Sequence, residues 1–189
     1  MFRISKIKPV ILDACSTPKK FAEDLDVTLR TMPNFNLCSI INDEDYLYRK
    51  GGGTSGFMPE YLTDSVFLYS RKKDYLALYE GKLDVRGAIA SELLTNLLTY
   101  LTVCKRFEKY STGSLSNEVE YVCNISEVKE ALMQKGAENL KWSYPGAFEC
   151  MKGNDFSGLE RIVVDYVEML SNRSVITKII GVLKSALRR

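Results

Sequence analysis

The run from Asp64 to Tyr110, DSVFLYSRKKDYLALYEGKLDVRGAIASELLTNLLTYLTVCKRFEKY, decides how the chain is read. In its first part Val66 and Leu68, then Leu76 and Leu78, alternate with Phe67, Tyr69, Tyr75 and Tyr79. Alternation of this kind predicts two strands, and Arg71-Lys72-Lys73-Asp74 between them reads as the turn of a hairpin. Both faces are apolar or aromatic, which places the pair centrally in a sheet. From about Asp84 the spacing changes to steps of three and four. Ile89, Leu93, Leu97, Tyr100 and Cys104 form one stripe, and Ala90, Leu94, Leu98 and Leu101 a second beside it. A helix apolar over so much of its circumference belongs in the middle of a fold. Its length approaches the ~20 residues of a membrane span, but Arg86, Glu92 and Asn96 interrupt the apolar run.

Upstream, Thr17-Pro18 predicts a helix start and Pro33 its end, with Glu23, Asp24 and Arg30 on the outer face. Asn36–Ile41 and Tyr46–Tyr48 read as strands around an acidic turn. Lys50-Gly51-Gly52-Gly53-Thr54-Ser55-Gly56 cannot pack and reads as a loop, either plain or contacting a substrate. The GxxxxGK[ST] pattern of a phosphate cradle is absent. Downstream, Val119–Ile125 alternates as a strand, and Ser126–Lys135 reads as a helix closed by Gly136. Ser157-Gly158-Leu159-Glu160 is a capping box, and Leu159, Ile162, Val163, Tyr166, Val167 and Leu170 follow at helical spacing. Ser174 opens a final helix with Ile176, Ile179, Ile180, Leu183 and Leu187 on one face and Lys178, Lys184, Arg188 and Arg189 elsewhere. The expected fold class is therefore α+β: a mixed β-sheet flanked by helices with a C-terminal helical extension. It forms one domain, with a core over about 17–125 and the extension over about 126–189.

The 189 residues carry a net charge of +2, so any basic surface is local. There is no histidine, which removes Ser-His-Asp and Cys-His catalysis and histidine metal sites. Carboxylate, Lys, Tyr and Cys chemistry remains, with hard cations on oxygen ligands. The five cysteines show no CxxC spacing and read as buried free thiols. With no secretory pattern at the start of the sequence, they predict a reducing intracellular compartment, cytoplasmic or nuclear.

Glu80 and Lys82, two apart at a strand end, share one face. Asp64 opens the partner strand. The two carboxylates could hold Mg²⁺ or Mn²⁺, with the lysine assisting an attacking water. A symmetric turn at Lys72-Lys73 puts Asp64 opposite Gly81, so the arrangement requires an odd-length turn or a bulge. The order helix, strands, Asp at a strand start, Glu-x-Lys, long helix and strand resembles the PD-(D/E)xK, or restriction-endonuclease-like, nuclease superfamily. Gly81 stands at the middle position, and the nearest proline to Asp64 is Pro59. The resemblance implies an αβββαβ core over about 17–125 and catalytic Asp64, Glu80 and Lys82. It also implies Glu23 as an accessory metal ligand.

Two functions follow as expectations. The first is a Mg- or Mn-dependent nuclease, with Arg71, Lys72, Lys73 and Lys50 contacting nucleic-acid phosphates and the C-terminal helices serving dimerisation or substrate choice. The second is a non-catalytic interaction protein, matrix-like, adaptor or immunity-type. It would act through the basic amphipathic helix of 174–189 on a partner protein or an anionic membrane surface. The same helix could instead pack on its own core.

Overall fold

The computed structural model describes residues 8–9, 12–13, 23–31, 58–76, 85–107, 114–142 and 144–186, without the side chains of 23–25, 75, 141–142 and 173–186. Among these residues every regular element is helical: α1 (Glu23–Thr31), α2 (Tyr61–Leu76), α3 (Arg86–Phe107), α4 (Leu115–Asn124), α5 (Ser126–Leu132), a 3-10 turn (Ala137–Trp142), α6 (Ala147–Gly153) and α7 (Phe156–Ala186). The expected α+β class is overturned. Asp64–Ser70 lies in α2, and Val119–Asn124 lies in α4. The expected strands at 36–41 and 46–48 and the glycine loop at 50–56 lie outside the described residues.

The physical reason for the error in α2 is local. Alternation over seven residues is too short to separate period 2 from period 3.6, and the buried positions here are Leu62, Asp64, Ser65, Leu68 and Tyr69. The supposed turn Arg71-Lys72-Lys73-Asp74 contains neither Gly nor Pro, and Arg and Lys are good helix formers. Nothing stops the helix there, so it runs through to Leu76. Asp64 sits in its first turn, where a carboxylate suits the positive end of the helix.

In α4 the alternation of Val119, Tyr121 and Cys123 is misleading, because Tyr121 is exposed and Val122 buried, and Glu118 just before them is buried too. Together with Leu115, Val119, Val122 and Cys123 it forms a helical set. Ser114 caps this helix, its side chain accepting from the Asn117 N–H at 3.2 Å.

The long helix predicted after Asp84 is present as α3, and it is the centre of the bundle. It packs against α2, α4, α5, α7 and the 3-10 turn. Leu94, Leu97, Leu98 and Leu101 are completely buried, and each such side chain contributes about 1.5–3 kcal/mol. Its hydroxyls turn inward: Thr95, Thr99 and Thr102 donate to the carbonyls of Ser91, Thr95 and Leu98. Among the described residues α3 alone is long and apolar enough to cross a membrane, and most of that stretch is buried inside the bundle.

Further boundaries differ from expectation. α5 ends at Leu132 rather than Lys135, and Gly136 follows with φ +93, a value that favours glycine. A Cβ on Gly87 would stand 2.1 Å from the Lys135 carbonyl oxygen. The start of α3 thus meets the end of α5 backbone to backbone. The cap of α7 is Asp155, whose Oδ1 accepts from the Gly158 N–H at 2.9 Å, not the predicted Ser157. The helix predicted to begin at Ser174 is the continuation of α7, because residues 171–174 hold neither Gly nor Pro to break it. In α1, Arg30 is not on an outer face: its side chain is 8% exposed and grips the buried Asp26 through two bonds of 3.0 Å.

Candidate functional site

The residues expected to form a metal site are not assembled by a hairpin. Asp64 is buried on α2, at 7% exposure. Glu80, Lys82 and Lys50 lie outside the described residues, and Glu23 is placed only as the first backbone position of α1. Among the described residues no group of three or more His, Cys, Asp or Glu is arranged to hold a metal.

Of the cations expected to meet phosphates, Arg71, Lys72 and Lys73 each have a partner within the chain. Lys72 pairs with Glu92 of α3, and Lys73 pairs with Glu130 of α5. Arg71 lies over the Phe67 ring at 5.1 Å and 3.8 Å from the Asp74 carboxylate. Lys72 and Lys73 thus bridge α2 to its neighbours, and Arg71 meets residues of α2 itself, rather than the three forming the tip of a hairpin. Such partly exposed pairs are worth well under about 1 kcal/mol each, so they set register more than stability.

A cleft of about 280 Å³ opens beside them, lined by Tyr69, Lys73, Leu76, Arg86, Ile89 and Glu130 together with Gln134. The Lys73–Glu130 pair crosses it. The Tyr69 phenol is pushed up to about 12, by burial first and then by Glu130 and Glu127. It is therefore a hydrogen-bond donor near neutral pH and not a base.

A second polar group is sealed in the core. The Tyr100 hydroxyl donates to Glu118 Oε1 at 2.7 Å, with both residues buried. Burial, and then the bond to Glu118, raises the Tyr100 pKa well above the ordinary phenol range. Burial pushes the neighbouring Cys104 thiol up to about 11. Without solvent access this cluster holds α3 to α4 and has no route to a substrate.

The feature that does face outward is α7, 31 residues in one helix, about 46 Å long at ~1.5 Å per residue. Its first half packs on α3, α4 and α6. The packed stripe runs through Leu159, Val163, Tyr166 and Leu170, all buried or half-buried. In steps of three and four the same stripe continues through Arg173, Thr177, Gly181 and Lys184. The opposite stripe is exposed at Arg161, Asp165, Glu168 and Asn172, and it continues through Val175, Ile179, Leu183 and Ala186. The apolar face thus changes sides near Asn172. Each half is amphipathic, but the second half carries its apolar positions on the side away from the one by which the first half joins the bundle.

Sequence reasoning found both apolar stripes and missed this exchange, because it placed a helix break at Ser174. A break would have left the two faces unrelated. The signal was the missing Gly or Pro at the supposed boundary.

No family model, curated protein or solved structure matches this chain.

Proposed function

We propose that the protein is a non-catalytic helical interaction module that docks through the second half of α7. One observation supports the reading: the exposed stripe of the first half of α7 becomes, within one continuous helix, the apolar stripe Val175, Ile179, Leu183 and Ala186. The stripe by which the first half packs on the bundle lies on the opposite side of the same helix. An aliphatic stripe there gains free energy by leaving water with something else. The buried α3–α4 cluster and the engaged cations of α2 supply a scaffold. The nuclease expectation depended on a hairpin bringing Asp64 beside Glu80 and Lys82, and Asp64 stands on a helix.

The test is stability of the full chain. Ile179→Lys with Leu183→Lys leaves the urea unfolding free energy within about 0.5 kcal/mol of wild type, as for surface sites. It also reduces binding of an apolar fluorescent dye. A loss of about 2–5 kcal/mol, the size expected for buried aliphatic positions, would show that the stripe is covered by its own fold and would refute the reading.

A further inference from the structure

We infer that the cleft between α2, α3 and α5 is a binding site for a small aliphatic carboxylate, which the Tyr69 hydroxyl and the Gln134 amide hold by hydrogen bonds beside the Lys73 ammonium. The site is separate from the α7 stripe and does not rest on the docking reading. Tyr69 and Lys73 come from α2, Arg86 and Ile89 from α3, and Glu130 from α5, with Gln134 just beyond that helix.

Unsatisfied polarity carries the inference. Tyr69 is 3% exposed, and among the described residues its hydroxyl has no hydrogen-bond partner. Buried polar groups are nearly always paired, and one left alone costs free energy that a ligand oxygen recovers. Glu130, which lines the same cleft, acts on that phenol electrostatically, which places the phenol at the cleft. Glu127 also acts on it but lies outside the lining. The Gln134 side chain, half-buried in the same lining, likewise has no hydrogen bond among the described residues.

Donors exceed acceptors here. Lys73 lies over the Tyr69 ring at 5.5 Å and donates to Glu130. An ammonium has three N–H donors, and Glu130 takes one of them. Glu130 is the only carboxylate in the lining. A group that only accepts hydrogen bonds fits this excess, and an ionised carboxylate has two oxygens to offer the phenol and the amide. Charge selects the same class. Lys73 and Arg86 stand against Glu130 in the lining, so a single negative charge balances it and a phosphate dianion exceeds it. Leu76 and Ile89 supply an aliphatic wall. The cleft, at about 280 Å³, falls just under the ~300 Å³ at which pockets for drug-sized ligands begin, so the carbon chain of the acid is short.

The experiment is a ligand-observed NMR titration of the full chain with hexanoate, compared with hexanamide, hexylammonium and hexyl phosphate. Hexanoate binds with a dissociation constant on the order of millimolar, as expected for about eight heavy atoms. Hexanamide and hexylammonium bind about tenfold more weakly, lacking the charge-assisted bonds. Tyr69→Phe weakens hexanoate binding about tenfold, the loss of one hydrogen bond to a charged group. Its melting temperature stays at the wild-type value, because the hydroxyl has no partner in the fold to lose. Glu130→Gln tightens binding about fivefold by removing the negative charge of the lining, a gain that damage to the fold does not produce. The inference is overturned if hexanoate fails to bind at about ten times the millimolar range, or if hexanamide binds equally well. Tighter binding of hexyl phosphate overturns the choice of a carboxylate. Hexanoate binding that neither variant changes places the anion elsewhere and overturns the site. A Tyr69→Phe protein that melts well below wild type overturns it as well, since the hydroxyl then has a partner within the fold.

Discussion

Removing a single oxygen from Tyr100 tests the account of the core. In Tyr100→Phe the ring stays between α3 and α4, and Glu118, with 0% exposure, loses the donor that stands 2.7 Å from its Oε1. A hydrogen bond to a charged group is worth about 1.5–3 kcal/mol. Taking the middle of that range, and about 2–4 °C per kcal/mol for a chain of this size, the melting temperature falls by about 5–9 °C. Replacing the carboxylate by an amide supplies the control. In a Glu118→Gln background the bond is neutral and worth about 1 kcal/mol, so Tyr100→Phe costs less there. The double-mutant cycle then leaves a coupling of about 1 kcal/mol. Urea titration of the four proteins measures it. A loss below about 0.5 kcal/mol in the wild-type background, or the same loss in both backgrounds, would refute the claim that the phenol stabilises a buried carboxylate.

Two other outcomes are expected. Burial pushes the Cys104 and Cys123 thiols from about 9 up to about 11. As pH rises, the unfolded chain gives up these protons first, so stability is whole below about pH 9 and is lost as pH climbs through about 11. Two units correspond to about 2–3 kcal/mol for each thiol. Urea midpoints between pH 8 and 11 check this, and Cys104→Ala with Cys123→Ala flattens the profile. Gly87→Ala destabilises by about 1–3 kcal/mol although alanine is the better helix former, because its Cβ would stand 2.1 Å from the Lys135 carbonyl. Thermal melting decides it, and a stabilised variant would contradict the close contact of α3 with the α5–Gly136 turn.

Read alone, the sequence determined the central helix. Its two apolar stripes, from Ile89 to Cys104 and from Ala90 to Leu101, extend over enough turns that only a 3.6-residue period fits them, and they leave so little polar surface that the helix must be enclosed. The helical spacing of Leu159, Val163 and Tyr166, and the apolar and basic faces after Ser174, were legible for the same reason. Only tertiary structure decided the rest. Short runs such as Val66–Tyr69 and Val119–Cys123 satisfy either period locally, and the outcome depended on which neighbours could bury which residues. Glu118 was acceptable inside because Tyr100 of another helix reaches it. Lys72 and Lys73 became bridges because Glu92 and Glu130, distant in sequence, stand opposite them. The two faces of α7 acquired their meaning from continuity: one unbroken helix fixes the angle between a stripe that packs on the bundle and a stripe that turns away from it.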